Sequence, residues 1–328
     1  MTANLRPMSL GEILDRTFLI YRSRVRLFLG MGAMPVLATL AILAVGLILD
    51  GLLSQTTLTP GDKNSIESAA GHLGVDGWKS LFGYLVWPVV IFTASQLHFG
   101  QEAAFRPAFA RCLARWKSWL LLSVVLWAVS NGIPALVHAI PILTRARMNA
   151  MLVLMQGLGS IAQWPRSLFY LALGWGLGLA AGAALWIIVP VWILEDTPLR
   201  PAIGRNLALL KGGYGRILVA SGLILALQWI LQVSASFVVM FLFRMLISML
   251  PGPHFYFSIY RVITAIPVIT AEIVVAALLP IALTLFYYDQ RVRREGFDIE
   301  LKMEAAGMNA PVATTELPVG AESEERPA

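Results

Sequence analysis

The chain has 328 residues, of which 58% are hydrophobic and 13% charged, and its mean hydropathy is +0.72. Soluble domains carry about 25% charged residues, so an ordinary water-soluble globule is excluded and a membrane protein is expected. The net charge of +6 does not argue for nucleic acid, because the basic residues sit in short clusters beside apolar runs and not on one face of a soluble fold.

At the N-terminus, SLGEILDRTFLIYRSRVRLFL (residues 9–29) places Ser9 three residues before Glu12, the capping-box spacing that opens a helix. Leu10, Ile13, Leu14, Phe18, Tyr21 and Val25 trace an apolar face, with Arg16, Arg22, Arg24 and Arg26 on or beside the other. An amphipathic basic helix of this kind lies on a membrane or beneath a bundle, as a lipid-binding elbow or as an anchor orienting the next span. The anchor is the simpler reading.

Apolar runs long enough to cross a bilayer, which needs about 20 helical residues, follow at 27–49, 81–99, 119–142, 167–194, 217–243 and 263–288. The first is no signal peptide: 26 residues precede it and no small-residue cleavage pattern follows. Residues 50–80, with Asp50, Asp62, Glu67 and Asp76, read as an outer loop with some local helix, and 145–163 as a helix lying in the outer interface. Kinks are expected at Pro134, Pro190 and Pro267. Lys and Arg number 18 on the side that carries both termini and 7 on the other, which places the termini in the cytoplasm of a bacterial cell.

Two segments share a phrase. FRPAFARCLARWKSWL (105–120) and LRPAIGRNLALLKGGY (199–214) repeat Arg-Pro-Ala, Arg and Leu-Ala with a spacing of 94 positions. Arg16 lies 95 residues before Arg111, giving a third, fainter copy. The expected fold is therefore an all-α, six-span transmembrane bundle of three repeats, each a cytoplasmic amphipathic helix followed by a transmembrane hairpin. The units run over about 1–99, 100–194 and 195–303, forming a single membrane domain over 1–303 with a disordered cytoplasmic tail at 304–328. An apolar stripe recurs as Phe105, Phe109, Leu113, Trp116 and Leu120, then as Leu199, Ile203, Leu207, Leu210 and Tyr214. Arg16, Arg22, Arg106, Arg111, Arg200 and Arg205 are candidate contacts for lipid headgroups.

Polar residues inside spans are the usual pointers to function. Glu272 is the one acidic residue well inside a run, and Gln228 and Gln232 could line a polar interior with it. Glu272 would persist as a neutral acid or as a carboxylate held by Arg244 or Arg261, and the ion pair is the reading taken. Glu195 and Asp196 precede Thr197-Pro198 and read as charges complementing a helix N-terminus. Gly174, Gly178 and Gly182 form a small-residue stripe suited to close helix packing. The lone Cys112 and four scattered histidines offer no disulfide and no metal-ligand spacing. No cofactor, catalytic triad or phosphate loop is indicated.

The segments 9–29 and LTLFYYDQRVRREGFDIEL (283–301) resemble the opening and closing signatures of bacterial proteins similar to the membrane domain of glycerophosphoryl diester phosphodiesterases. The resemblance implies a multi-pass membrane domain without the catalytic barrel, whose His-Arg-Gly motif this sequence lacks. The expected function is a non-enzymatic inner-membrane scaffold or accessory component, with membrane lipids and unidentified membrane proteins as partners. Its rivals are a small-solute or lipid transporter using Glu272 and, third, a membrane enzyme. A closed bundle favours the scaffold, and a cavity reaching Glu272 favours the transporter.

Overall fold

The computed structural model describes residues 6–53, 60–152, 159–247 and 269–305, and among these every regular element is helical. In chain order they are α1 (Leu10–Ser23), α2 (Val25–Leu53), α3 (Pro60–His98), α4 (Phe105–Ala114), α5 (Trp116–Leu152), α6 (Gly159–Trp186), α7 (Ile188–Leu194), α8 (Leu199–Leu210), α9 (Tyr214–Ile247), α10 (Leu278–Glu295) and α11 (Phe297–Ala305). Five stretches are long and apolar enough to cross a membrane: Lys79–His98, Trp116–Val137, Ala172–Leu194, Tyr214–Met245 and Ile269–Glu295. A sixth arises if α1 and the start of α2, bent by 95° at their junction, count as one.

The chain enters α1 through a complete capping box. Ser9 Oγ accepts from the Glu12 amide at 3.2 Å, and the Glu12 carboxylate accepts from the Ser9 amide at 2.7 Å. The Ser9 amide and the neighbouring Arg6 hold the Glu12 carboxyl below its ordinary value, because both stabilise the ionised form.

Three stretches form the centre. The lower part of α3, the short α7 and α10 pack against one another, and every residue from 278 to 290 is buried. By contrast α9 exposes Val219, Leu223, Trp229, Ile230, Phe237 and Phe241, and α5 exposes Leu120, Leu121, Val124 and Val125. Large apolar side chains are thus exposed along the outer helices, as expected where the surrounding medium is itself apolar.

Proline chemistry shapes two of the central stretches. A proline in a helix lacks the N–H that would bond four residues back, and its ring crowds that carbonyl. The helix accordingly breaks at Ile187, three residues before Pro190, and at residues 276–277, just before Pro280. Pro134, where a kink was expected, lies inside the unbroken helix α5 and packs against Gly178, whose missing Cβ would sit 2.7 Å from its ring. Pro267 lies outside the described residues.

The hairpin of α5 and α6 corrects the expected interfacial helix at 145–163. Residues 145–152 continue α5, residues 159–163 open α6, and 153–158 lie outside the described residues. Polar residues at the end of an apolar run did not stop the helix, because nothing in RARMNAML breaks one. At 37 residues α5 is about 55 Å long, well beyond a hydrocarbon core of about 30 Å. The expected disordered tail at 304–328 is corrected at its start, since α11 runs to Ala305; residues 306–328 lie outside the described residues.

The short helices bury small or polar residues alongside Ile13, Leu209 and Leu210. Ala108 and Cys112 in α4, and Ala202 and Asn206 in α8, are completely buried, while Leu113, Ile203 and Leu207 of the expected apolar stripe are exposed. In α1 the buried pair is Ile13 and Thr17, and Phe18 and Leu19 face outwards. Burial pushes the Cys112 thiol up to about 12, so it remains an inert packing group.

Gly32 of α2 meets the last span most closely. A Cβ built there lies 2.4 Å from the backbone oxygen of Ile273, and backbone cannot swing aside. Gly32→Ala should therefore cost about 1–3 kcal/mol, the range for overpacking, seen as a lower thermal midpoint in mild detergent. Gly83→Ala, where a Cβ meets nothing within 4 Å, is the matched control and should leave the midpoint unchanged or raise it.

Candidate functional site

A cleft of about 230 Å³ opens among α2, α3, α9 and the last span. Its walls are largely apolar, with Met31, Val36, Val86, Val90, Leu225 and Leu279 among them, and Gly32 and Gly83 also line it. At one end Lys79 Nζ lies 2.8 Å from Glu272 Oε1, and Gln232 Nε2 donates to the same oxygen at 3.4 Å. The Glu272 side chain is 13% exposed and that of Lys79 27%, so the pair is mostly shielded yet borders the cleft. Seventeen residues separate Glu272 from Asp289, about 25 Å along a helix. The pair therefore sits near the end of the bundle opposite Asp289.

Glu272 and Gln228 line the cleft, Gln232 bonds to Glu272, and the cation found beside the carboxylate is Lys79, where the sequence pointed to Arg244 or Arg261. Arg244 is exposed on α9 and bonds to no carboxylate among the described residues; Arg261 lies outside them. Lys79 takes the place because α3 continues as helix well beyond the membrane-crossing length, and one face of that helix carries the lysine to Glu272.

The opposite end holds the three short helices and is locked by charge. Asp289 is completely buried. It accepts from the Met8 amide at 2.7 Å, from Arg216 Nη1 at 2.9 Å and from Arg293 Nε at 2.9 Å. Arg216 Nη2 and Arg293 Nη2 both donate to the Met8 carbonyl, at 2.7 and 2.8 Å. One buried carboxylate thus ties the N-terminal segment at Met8, the start of α9 and the end of α10.

Nearby, Glu195 accepts from Arg205 Nε at 3.1 Å and from the Tyr287 hydroxyl at 2.8 Å. Arg205 also reaches Glu295, which pairs with Arg291 at 3.1 Å. Asp196 pairs with Arg111 and, at 3.6 Å, with Arg115. The reading of Glu195 and Asp196 as helix-dipole complements gives way here: Pro198 is the N-cap of α8, with no side-chain bond, and both acids serve cross-element ion pairs. Of the arginines expected at lipid headgroups, Arg111 and Arg205 are engaged within the protein, Arg16 is half-buried, and Arg22, Arg106 and Arg200 are exposed.

Among the described residues no three His, Cys, Asp or Glu side chains converge as a metal site. The chain was compared with family models, curated proteins and solved structures, and none matches.

Sequence reasoning missed Lys79 and Asp289. Asp289 did leave a signal, since an acid near the C-terminal end of a helix opposes the macrodipole and requires a partner. Lys79 left none, because it falls at the edge of a polar segment whose helical continuity the composition does not reveal.

Proposed function

We propose that this chain is a non-enzymatic protein of the bacterial cytoplasmic membrane that takes part of an amphiphile into the cleft between α2, α3, α9 and the last span. The observation that carries this reading is the cleft itself, apolar along its walls and, among the described lining residues, charged only at the Lys79–Glu272 end. An acyl or similar chain suits the walls, and a polar group suits the end. Its volume lies below the roughly 300–1,000 Å³ that encloses a drug-sized ligand, so one chain segment of the amphiphile enters and the remainder stays in the bilayer. This moves the lipid-transporter alternative ahead of the pure scaffold. The scaffold reading keeps one specific support, the ion-pair lock around Asp289 and Glu195, which holds one end rigid.

On this reading the short-helix end faces the cytoplasm, in keeping with the excess of Lys and Arg there. The three units are repeats whose short helices turn large apolar side chains such as Phe18, Leu113 and Leu207 towards the bilayer. Support comes from the matched buried positions Ile13/Ala108/Ala202 and Thr17/Cys112/Asn206, each separated by 95 and then 94 residues. An accessibility reporter placed within 60–76 should read outside the cell; a cytoplasmic reading there overturns the topology.

The cleft is tested with a membrane lipid carrying a diazirine on its acyl chain, crosslinked in native membranes and mapped by peptide mass spectrometry. Enriched labelling of Val86, Leu225 and Leu279 over the outward-facing Trp229 and Phe237 is expected. Labelling that follows exposure alone overturns the reading.

A further inference from the structure

A second cavity, of about 480 Å³, lies at the short-helix end and is lined by Gly212, Arg216, Gln290, Arg293 and Arg294. Three guanidinium groups converge on it. Among the described residues the one carboxylate bonded to any of them is Asp289, shared by Arg216 and Arg293. Arg294 has no carboxylate partner among the described residues, so three positive charges facing one negative leave an excess of two. Such an excess around a polar cavity is a standing attraction for an anion.

The cavity has a shaped wall. The backbone turn between α8 and α9 passes through Gly212 at φ +76°, a conformation that costs glycine nothing and other residues dearly. A Cβ on Gly212 would lie 2.7 Å from Arg294 Nη2, and one on Gly213 would lie 2.6 Å from Gln290 Oε1. The glycine pair therefore lets the last span's Arg294 and the buried Gln290 press against the turn. Arg216 and Arg293 are fixed from behind by Asp289 and the Met8 carbonyl, so their remaining N–H groups are held in place before any ligand arrives.

We propose that the Arg216–Arg293–Arg294 cavity binds a phosphate group. Guanidinium forks match phosphate oxygens in pairs, and an excess of two charges suits a monoester, which carries about −1.5 to −2 at neutral pH. The phosphate could belong to a lipid headgroup or to a free phosphate ion, and both present the same oxygens. This site shares no residue with the apolar cleft, so either can fail without the other.

The test measures thermal midpoints of the full chain in mild detergent, at constant ionic strength set with chloride. Inorganic phosphate, a short-chain phosphatidic acid and a short-chain phosphatidylcholine are titrated separately. A ligand that binds the folded state raises the midpoint with concentration. A saturable rise with phosphatidic acid alone assigns a lipid headgroup, with inorganic phosphate alone a soluble anion, and with both the phosphate group as such; each supports the site. Arg294→Gln should weaken the apparent Kd about tenfold, the equivalent of 1.4 kcal/mol. Arg294→Lys should restore part of the loss, and Arg22→Gln, an exposed cation on α1, should change nothing. Arg294 packs against the Gly212 turn but pairs with no carboxylate among the described residues, so each ligand response of Arg294→Gln is read against that variant's own unliganded midpoint. No saturable rise with either phosphate ligand overturns the proposal, as does an equal rise in wild type and Arg294→Gln, or an equal response to phosphatidylcholine.

Discussion

Replacing Asp289 with alanine should destabilise the chain by about 3–5 kcal/mol, the cost of removing one member of a buried charged group. The side chain is completely buried and binds the Met8 amide, Arg216 and Arg293 together. Its loss leaves two guanidinium groups facing each other over the Met8 carbonyl, with no negative charge between them. Against a typical total of about 5–15 kcal/mol, that is a large fraction. Asp289→Asn keeps an acceptor for the Met8 amide and removes only the charge, so it should fall between wild type and alanine. Arg216→Gln and Arg293→Gln should each cost less, because the remaining arginine still neutralises the carboxylate. Thermal unfolding in mild detergent ranks the four variants, and an Asp289→Ala midpoint equal to wild type would show that the clasp contributes nothing.

Lys79→Met should be more damaging than Glu272→Gln, although the two substitutions break the same pair. Without Lys79 the Glu272 carboxylate, 13% exposed, keeps among the described residues only the Gln232 bond at 3.4 Å. Without the Glu272 charge, Lys79 is 27% exposed, and its long stem lets the ammonium reach water or headgroups. About 3 kcal/mol is expected for Lys79→Met, the lower end for a buried pair because the cleft admits some solvent. The double variant Lys79→Met/Glu272→Gln should recover most of that loss, since an apolar residue beside a neutral amide leaves no buried charge. If the double variant proves less stable than Lys79→Met, the pair is not the interaction that holds this end of the cleft.

Much of the helical framework could be read from residue pattern. The capping box at Ser9 and Glu12 is present as two hydrogen bonds, because its chemistry is confined to four consecutive residues. The Arg-Pro-Ala phrases at 106–108 and 200–202 both fall on short helices that lead into long ones, since Pro is tolerated within a first turn. What escaped the sequence depended on contacts between distant segments. Lys79 meets Glu272 across 193 positions and Met8 meets Asp289 across 281, separations at which periodicity carries no information. The short helices misled for a related reason. Part of the visible apolar stripe, Leu113, Ile203 and Leu207, faces outwards, while the packed face includes Ala108, Cys112, Ala202 and Asn206 beside Leu209 and Leu210, and the first four are too small or too polar to stand out.

The cleft is the centre of the functional account, and filling it is the most direct test. Gly83 lines it, and a Cβ at that position meets nothing within 4 Å, so the first atom of a larger side chain is accommodated and Gly83→Phe is the variant chosen to fill the cleft. Wild type and Gly83→Phe, purified identically in mild detergent and shown to unfold at similar temperatures, are compared by native mass spectrometry for retained lipid. A tightly held lipid is expected on wild type and should be lost from Gly83→Phe. Equal lipid retention by both proteins, or none by wild type, would contradict this expectation.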